Sequence, residues 1–360
     1  MNKVQIALSA GVPVLIWGPP GVGKTASVHA LARRMGYHVE VVLASIREPA
    51  DFLGLPVING KQVRFSPPDW AVRLAQVERG ILFLDELSTA PPAVQSALLR
   101  VVLERVVGDL TLPSGVRIIA AANPPDIAAN GWELSPPLAN RFAHLHYRFS
   151  PESFARQFPS YWGAPPAIEG IDPDRWAQMR ALIAGYLRVK PAHALAVPQG
   201  ESERGLAWPS PRSWDHASRM LAVADIDDPE DAIYIVGSCV GQAVAVEMIH
   251  WWRDADLPDP EAVLADPERY PIPARSDALY SISQACVQWV VQGDRITRPA
   301  LYIPCWRLLR RVADMGYGDI ASVAGGTLAR VRSQSPSPIP RDLIQPFVRL
   351  FQLVEGGESL

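Results

Sequence analysis

Cysteine is scarce. The chain has only Cys239, Cys286 and Cys305 in 360 residues, far apart and with no C-x-x-C pair. That excludes a disulfide framework and a cysteine zinc site, and it leads us to expect a reducing compartment with all three thiols in the core. Charge of one sign is also lacking. Lys and Arg number 34 against 37 Asp and Glu, a net charge of −3, so no global attraction to nucleic acid or an anionic membrane is expected. No stretch reaches about 18 uninterrupted apolar residues, so no membrane-spanning helix is expected. The apolar residues after Lys3 superficially suggest a signal peptide. They run straight into the strongest motif of the chain, which cleavage would destroy, so that reading is rejected and a cytoplasmic location is expected. There is no internal repeat and no Asn-Lys-x-Asp motif of the kind that reads guanine. The one excess is proline. At 35 residues it is about twice average usage, and it falls in loops and connectors.

The strongest motif is Gly18-Pro19-Pro20-Gly21-Val22-Gly23-Lys24-Thr25, which fits G-x-x-x-x-G-K-[ST] at every fixed position. An apolar run, 12–17, precedes it, and a helical segment ending at Gly36 follows. Strand, glycine loop and helix start together make a phosphate site. The glycines let backbone N–H groups approach the phosphates, and the helix N-terminus favours negative charge. The candidate nucleotide-binding residues are therefore Gly18, Pro19, Pro20, Gly21, Val22, Gly23, Lys24, Thr25 and Ala26. Lys24 can reach the β- and γ-phosphates, and the Thr25 hydroxyl can hold Mg²⁺.

Alternating strands and helices over residues 1–150 predict a parallel, doubly wound α/β sheet. Strand 39–43 follows the first helix. Residues 55–65 read as a hairpin turning at Asn59-Gly60, and residues 106–112 as a second. The run Ile81-Leu82-Phe83-Leu84 has the continuous apolarity of a fully buried parallel strand and ends in Asp85-Glu86. Strand 116–122 ends at Asn123-Pro124-Pro125. Beyond residue 150 the strand pattern stops. Helices are expected at 175–189, 211–224, 229–254, 276–292 and 300–316. These would form an α-helical lid over 151–225 and a helical extension over 226–360. Trp251, Trp252, Trp289 and Trp306 are expected to pack that helical core.

Phosphoryl transfer requires positioning more than covalent help. Asp85, at the carboxyl end of a buried strand, is the candidate metal carboxylate together with Thr25. Glu86 is the candidate group that polarises the attacking water. Asn123, ending a neighbouring strand, can hydrogen-bond the γ-phosphate or the water without adding charge. Arg141, in Leu138-Ala139-Asn140-Arg141-Phe142, and Arg212, in Ser210-Pro211-Arg212-Ser213, are the candidate transition-state cations.

GPPGVGKT, ILFLDE, AAANPP, LANRF and SPR occur in the order of AAA+ ATPases, and among them the chain most resembles the MoxR family of the helix-2-insert clade, relatives of the magnesium chelatase ATPase subunit. The resemblance covers about residues 1–225. It implies an ATPase with Lys24 and Thr25 as Walker A, Asp85 and Glu86 as Walker B, Asn123 as sensor 1, Arg141 as arginine finger and Arg212 as sensor 2, with ATP and Mg²⁺ as cofactors. It also implies a ring, usually a hexamer, with ATP between subunits, chaperone-like action on a protein, and a von Willebrand factor A domain partner. The hairpin at Asn59-Gly60 would fall in the helix-2 insert. Many MoxR relatives read DEINRAPP after Walker B. Here Leu87-Ser88-Thr89 replaces the residues that include the Asn-Arg pair, which puts that pair's role at a subunit contact in doubt. Two other readings are a nucleotide-dependent scaffold with little turnover and a DNA-acting motor. The latter requires basic, aromatic pore loops, whereas the first hairpin offers only Lys61 and Arg64.

Overall fold

A computed structural model of the protein describes residues 3–125, 127, 132–163, 165–225, 228–255, 257–335, 337–345 and 347. The chain divides between Arg148 and Phe149 into two compact units.

Five strands of the first unit form one parallel sheet: β1 (Val14–Trp17), β2 (His38–Leu43), β5 (Gly80–Asp85), β8 (Val116–Ala122) and β9 (Ala143–His146), in the order β2-β5-β8-β1-β9. Between them come two antiparallel hairpins, β3 (Leu55–Asn59) with β4 (Gln62–Ser66) and β6 (Val106–Val107) with β7 (Leu110–Thr111). The helices are α1 (Lys3–Ser9), α2 (Lys24–Met35), α3 (Ala50–Leu53), α4 (Asp69–Ala75), α5 (Pro92–Glu104) and α6 (Pro136–Ala139).

The alternation of side chains along a strand explains the layers. Ile81, Phe83, Ile119 and Ala121 face one cluster, which Leu8 of α1 and Val28 and Leu31 of α2 complete. Leu82, Leu84, Ile118 and Ala120 face another, closed by Trp70 and Leu74 of α4 and by Val94, Leu98 and Val101 of α5. Both faces of the sheet are thus covered, as the α/β reading requires. Residues 81–84 are all fully buried, and each such large apolar side chain contributes about 1.5–3 kcal/mol relative to exposure.

The first hairpin turns one residue later than expected. Asn59 pairs with Gln62, and the turn is Gly60-Lys61, with Gly60 at φ 64°. A two-residue turn that begins with a positive φ needs glycine first, and that fixes the register. The second hairpin docks on the first. Asp109 N–H donates to the Phe65 carbonyl (2.9 Å), and Phe65 N–H donates to the Asp109 carboxylate (3.0 Å). A Cβ on Gly108 would lie 2.5 Å from the Phe65 oxygen, so this contact admits only glycine.

The second unit is helical: α7 (Pro151–Gln157), α8 (Pro173–Val189), α9 (Glu201–Arg204), α10 (Pro211–Val223), α11 (Pro229–Val240), α12 (Gln242–Ala255), α13 (Pro260–Ala265), α14 (Ser276–Val290), α15 (Tyr302–Asp314) and α16 (Gly318–Arg330). The single helix expected over 229–254 is two. Gly241, at φ 89° and ψ 146°, ends α11, and a Cβ there would meet the Ala207 carbonyl at 3.0 Å. Where no strands were expected, β10 (Val291–Gln292) and β11 (Arg295–Ile296) form a small hairpin. Helices from both sides of the expected boundary at 225/226 share this unit, α8 lying against α14. Residues 348–360 of the expected extension lie outside the described residues. Trp306 is fully buried, and Trp251, Trp252 and Trp289 pack partly buried against the helical clusters. Arg180 is buried under Trp176, its guanidinium 4.2 Å from the ring, with Nε donating to the Pro159 carbonyl; burial lowers its pKa to about 10. Cys286 and Cys305 are buried and their thiols are pushed up by that burial, whereas Cys239 is only half-buried.

Candidate functional site

The sheet delivers three chain segments to one edge. β1, β5 and β8 run parallel, so the residues that follow them, Gly18, Glu86 and Asn123, emerge together at the carboxyl edge, where parallel α/β sheets bind ligands. Gly18 N–H donates to the Ala122 carbonyl (3.2 Å), which holds the loop beside the end of β8. Gly21 and Gly23 take positive φ values of 76° and 94°, and Gly23 caps the N-terminus of α2. The first N–H groups of α2, which lack partners within the helix, open on the loop.

Lys24 is buried, and its ammonium donates to the Gly18 carbonyl (2.7 Å), the Pro19 carbonyl (3.0 Å) and Asn123 Oδ1 (2.9 Å). The lysine is thus folded over the loop and tied to the residue that ends β8. Thr25 Oγ1 donates to Asp85 Oδ2 at 2.7 Å. A hydroxyl and a carboxylate this close are hard oxygen donors of the kind Mg²⁺ takes alongside water and phosphate, so the residues fit that ion. Lys24, Thr25, Asp85 and Asn123, widely separated in sequence, are therefore in one constellation.

Glu86 sits beside it, exposed, in the left-handed region at φ 56° and ψ 40°. A non-glycine residue there costs about 1–2 kcal/mol. The conformation is held by Glu86 N–H donating to Asp85 Oδ1 (3.0 Å) and by the Thr89 hydroxyl donating to the Glu86 carbonyl (2.9 Å). Ser88, in the same turn, accepts from Asn123 N–H (3.2 Å). One short turn after β5 therefore orients both Glu86 and Asn123.

Sequence reading missed Ser45. It lies in a 3₁₀ turn (Ala44–Ile46) after β2, and its hydroxyl donates to Glu86 Oε2 at 2.7 Å. The signal is the β2–β5 register, Leu43 opposite Asp85, which sequence spacing does not display. Ser45→Ala is expected to free that carboxylate oxygen and raise basal ATP turnover about tenfold, the worth of one hydrogen bond to a charged group, with ATP affinity unchanged. Steady-state kinetics on the purified variant measures this, and an unaltered kcat would remove Ser45 from the rate.

Within the first unit, Arg141 lies away from this constellation. Arg141 precedes β9, whose register with β1 runs from Val14 opposite Ala143 to Trp17 opposite His146. Arg141 is thus at the amino edge of the sheet while the loop is at the carboxyl edge, on the order of 15 Å away at about 3.3 Å per residue. Its Nη1 donates to the Pro137 carbonyl, its Nε is buried without a partner, and no carboxylate pairs with it among the described residues. Arg212 belongs to the second unit, exposed in the first turn of α10 behind the Ser210/Ser213 capping box.

Residues 13–142 match the family model described as AAA domain (dynein-related subfamily). The matched residues include the phosphate loop, Asp85, Glu86, Asn123 and Arg141. Among curated proteins, the chain is 30% identical over 128 residues to "Chaperone MoxR1" of Mycobacterium tuberculosis, 34% of this chain and 33% of that one. It is 36% identical over 124 residues to the Psp operon transcriptional activator of Escherichia coli, 31% and 37% of the two chains. The chain thus spans about a third of the length of these relatives. A solved structure of a Thermotoga maritima RuvB mutant aligns over 77% of this chain and 79% of that one, at 16% identity and a TM-score of 0.38. The fold is the P-loop AAA+ α/β core, followed by a helical region. No helix among the described residues is long and apolar enough to cross a membrane.

Proposed function

We propose that the protein hydrolyses ATP at a site completed by Arg141 of a second copy, in a ring that the MoxR resemblance makes a hexamer, and that the cycle remodels or activates a protein partner as a chaperone. The observation that carries the reading is the sheet register. It sets Arg141 at the edge opposite the phosphate loop and, among the described residues, without an acidic partner, which supports a role at a neighbour's nucleotide. Lys24 and the first N–H groups of α2 bind the β- and γ-phosphates. Thr25 and Asp85 hold Mg²⁺, which when bound supplies charge neutralisation at the phosphates. Glu86 orients and deprotonates the attacking water, and Asn123 positions it against the γ-phosphate. Arg212, on the helical lid we assign to 151–225, is the second cation.

A protein partner is favoured by the first hairpin. Every residue of β3 and β4 is exposed, and Ile58 is 80% exposed. Apolar side chains displayed outside the core point to contact with another protein. By family resemblance that partner carries a von Willebrand factor A domain, and the likeness to "Chaperone MoxR1" is consistent with a protein client.

Lys24→Ala is expected to abolish ATP binding, because Lys24 is the buried cation that the described residues place in the loop constellation. Isothermal titration calorimetry checks it, and retained wild-type affinity would remove Lys24 from the phosphate site. A pull-down with Glu86→Gln held in ATP identifies the partner.

A further inference from the structure

Between the phosphate loop and Arg141 the described residues form a continuous side-chain strap that none of the roles above uses. Trp17 is the residue immediately before Gly18, and its indole N–H donates to Nδ1 of His144 at 2.9 Å. The two rings stack with centroids 6.0 Å apart and an interplanar angle of 27°. Because Nδ1 accepts, the imidazole proton is on Nε2, which donates to the Ala139 carbonyl at 2.9 Å. Ala139 is the last residue of α6. The same short helix holds Arg141 at two further points: Leu138 C=O accepts from Arg141 N–H (3.1 Å), and Pro137 C=O accepts from its guanidinium. Three successive carbonyls of α6 thus bind Arg141 twice and His144 once.

From this geometry we infer that His144 is a positioning residue that couples the phosphate loop of one subunit to the arginine that subunit offers its neighbour. The inference rests on the trans role proposed for Arg141. The moving part is Lys24. Its ammonium occupies the Gly18 and Pro19 carbonyls, and incoming phosphate oxygens compete for the same three N–H donors. Releasing the Gly18 carbonyl changes the restraint on Trp17. The indole passes that change through a fixed-tautomer imidazole to α6, which sets where the Arg141 guanidinium points. Loading of one site is thereby reported to the next.

The test compares His144→Phe, which keeps ring, volume and stacking but loses both hydrogen bonds, with His144→Gln, whose amide can accept from Trp17 and donate to Ala139. For His144→Phe we expect kcat to fall about tenfold, the order of two lost neutral hydrogen bonds, with ATP affinity unchanged. His144→Gln is expected to restore kcat. Mixing His144→Phe with Lys24→Ala subunits should also restore turnover, because the second protein supplies an intact Arg141 to the first protein's site. If His144→Phe turns over at the wild-type rate while Arg141→Ala is inactive, the strap is wrong and the trans reading survives. If the Phe variant is slow but Lys24→Ala subunits do not rescue it, His144 acts on its own loop and the coupling is overturned. If Arg141→Ala is fully active, the trans reading falls and the strap falls with it.

Discussion

Glu86→Gln is expected to lower kcat for ATP hydrolysis by about 10²–10⁴ while ATP affinity stays within a few-fold of wild type, since general-base assistance contributes rate enhancement of that order. The substitution is nearly isosteric and removes only the capacity to take a proton. The surrounding geometry should persist. The left-handed backbone at Glu86 is held by the Asp85 carboxylate and the Thr89 hydroxyl, both of which bond its main chain. The Ser45 hydroxyl can donate to the amide oxygen as it does to the carboxylate. Binding should be spared because the hydrogen bond that the described residues give the Glu86 carboxylate is to Ser45, whereas Thr25 bonds Asp85. Single-turnover kinetics separates the two steps, and a Gln variant as fast as wild type would take the base assignment away from Glu86. The comparison also bears on the strained backbone. Strain of about 1–2 kcal/mol at a non-glycine residue persists only where neighbours enforce it, and here the enforcing contacts come from the Asp85 carboxylate and from the turn that also fixes Asn123.

Those parts of the site that depend on one strand and the residue after it were legible in the sequence. An apolar run ending in a glycine loop gives Lys24 and Thr25, one ending in Asp85-Glu86 gives the carboxylates, and one ending before Asn123-Pro124 gives the amide. In each case burial of the strand and the chemistry of its end are written in consecutive residues. What was not legible depends on register between distant strands. Ser45 reaches Glu86 because Leu43 lies opposite Asp85, and His144 reaches Trp17 because β9 pairs with β1. Strand β9 itself was missed. Ala143-His144-Leu145-His146 forms an edge strand paired on one side only, so it needs no apolar run, and its alternation of half-buried and exposed residues spans only four positions. The short helix α1 was read only as an apolar lead into the loop, although Leu8 is fully buried under the sheet. In the helical unit, pattern alone could not separate α11 from α12, because apolar periodicity continues across Gly241 and only the backbone angle there breaks it.

Arg141→Ala is expected to lower kcat by about 10³–10⁵, the range an arginine finger contributes in other nucleotide hydrolases, with little change in ATP affinity. The argument is geometric. An arginine that served its own subunit's nucleotide would have to cross the sheet from its amino to its carboxyl edge, against a register fixed by four consecutive β1–β9 pairs. It would also have to leave the Pro137 carbonyl, which anchors one guanidinium nitrogen. The trans role proposed above assumes neither movement, and the absence of a carboxylate partner among the described residues leaves the charge available. A trans role makes a demand that a structural arginine does not. Arg141→Ala subunits retain an intact loop, Thr25 and Asp85, and Lys24→Ala subunits retain an intact Arg141. Each is inactive alone, yet an interface formed with the loop of the first and the arginine of the second has every group. Titrating one inactive protein into the other should therefore restore part of the wild-type turnover, rising to a maximum at comparable amounts. If the mixture stays as inactive as its components while size measurements show that the two proteins assemble together, Arg141 does not act across a subunit boundary.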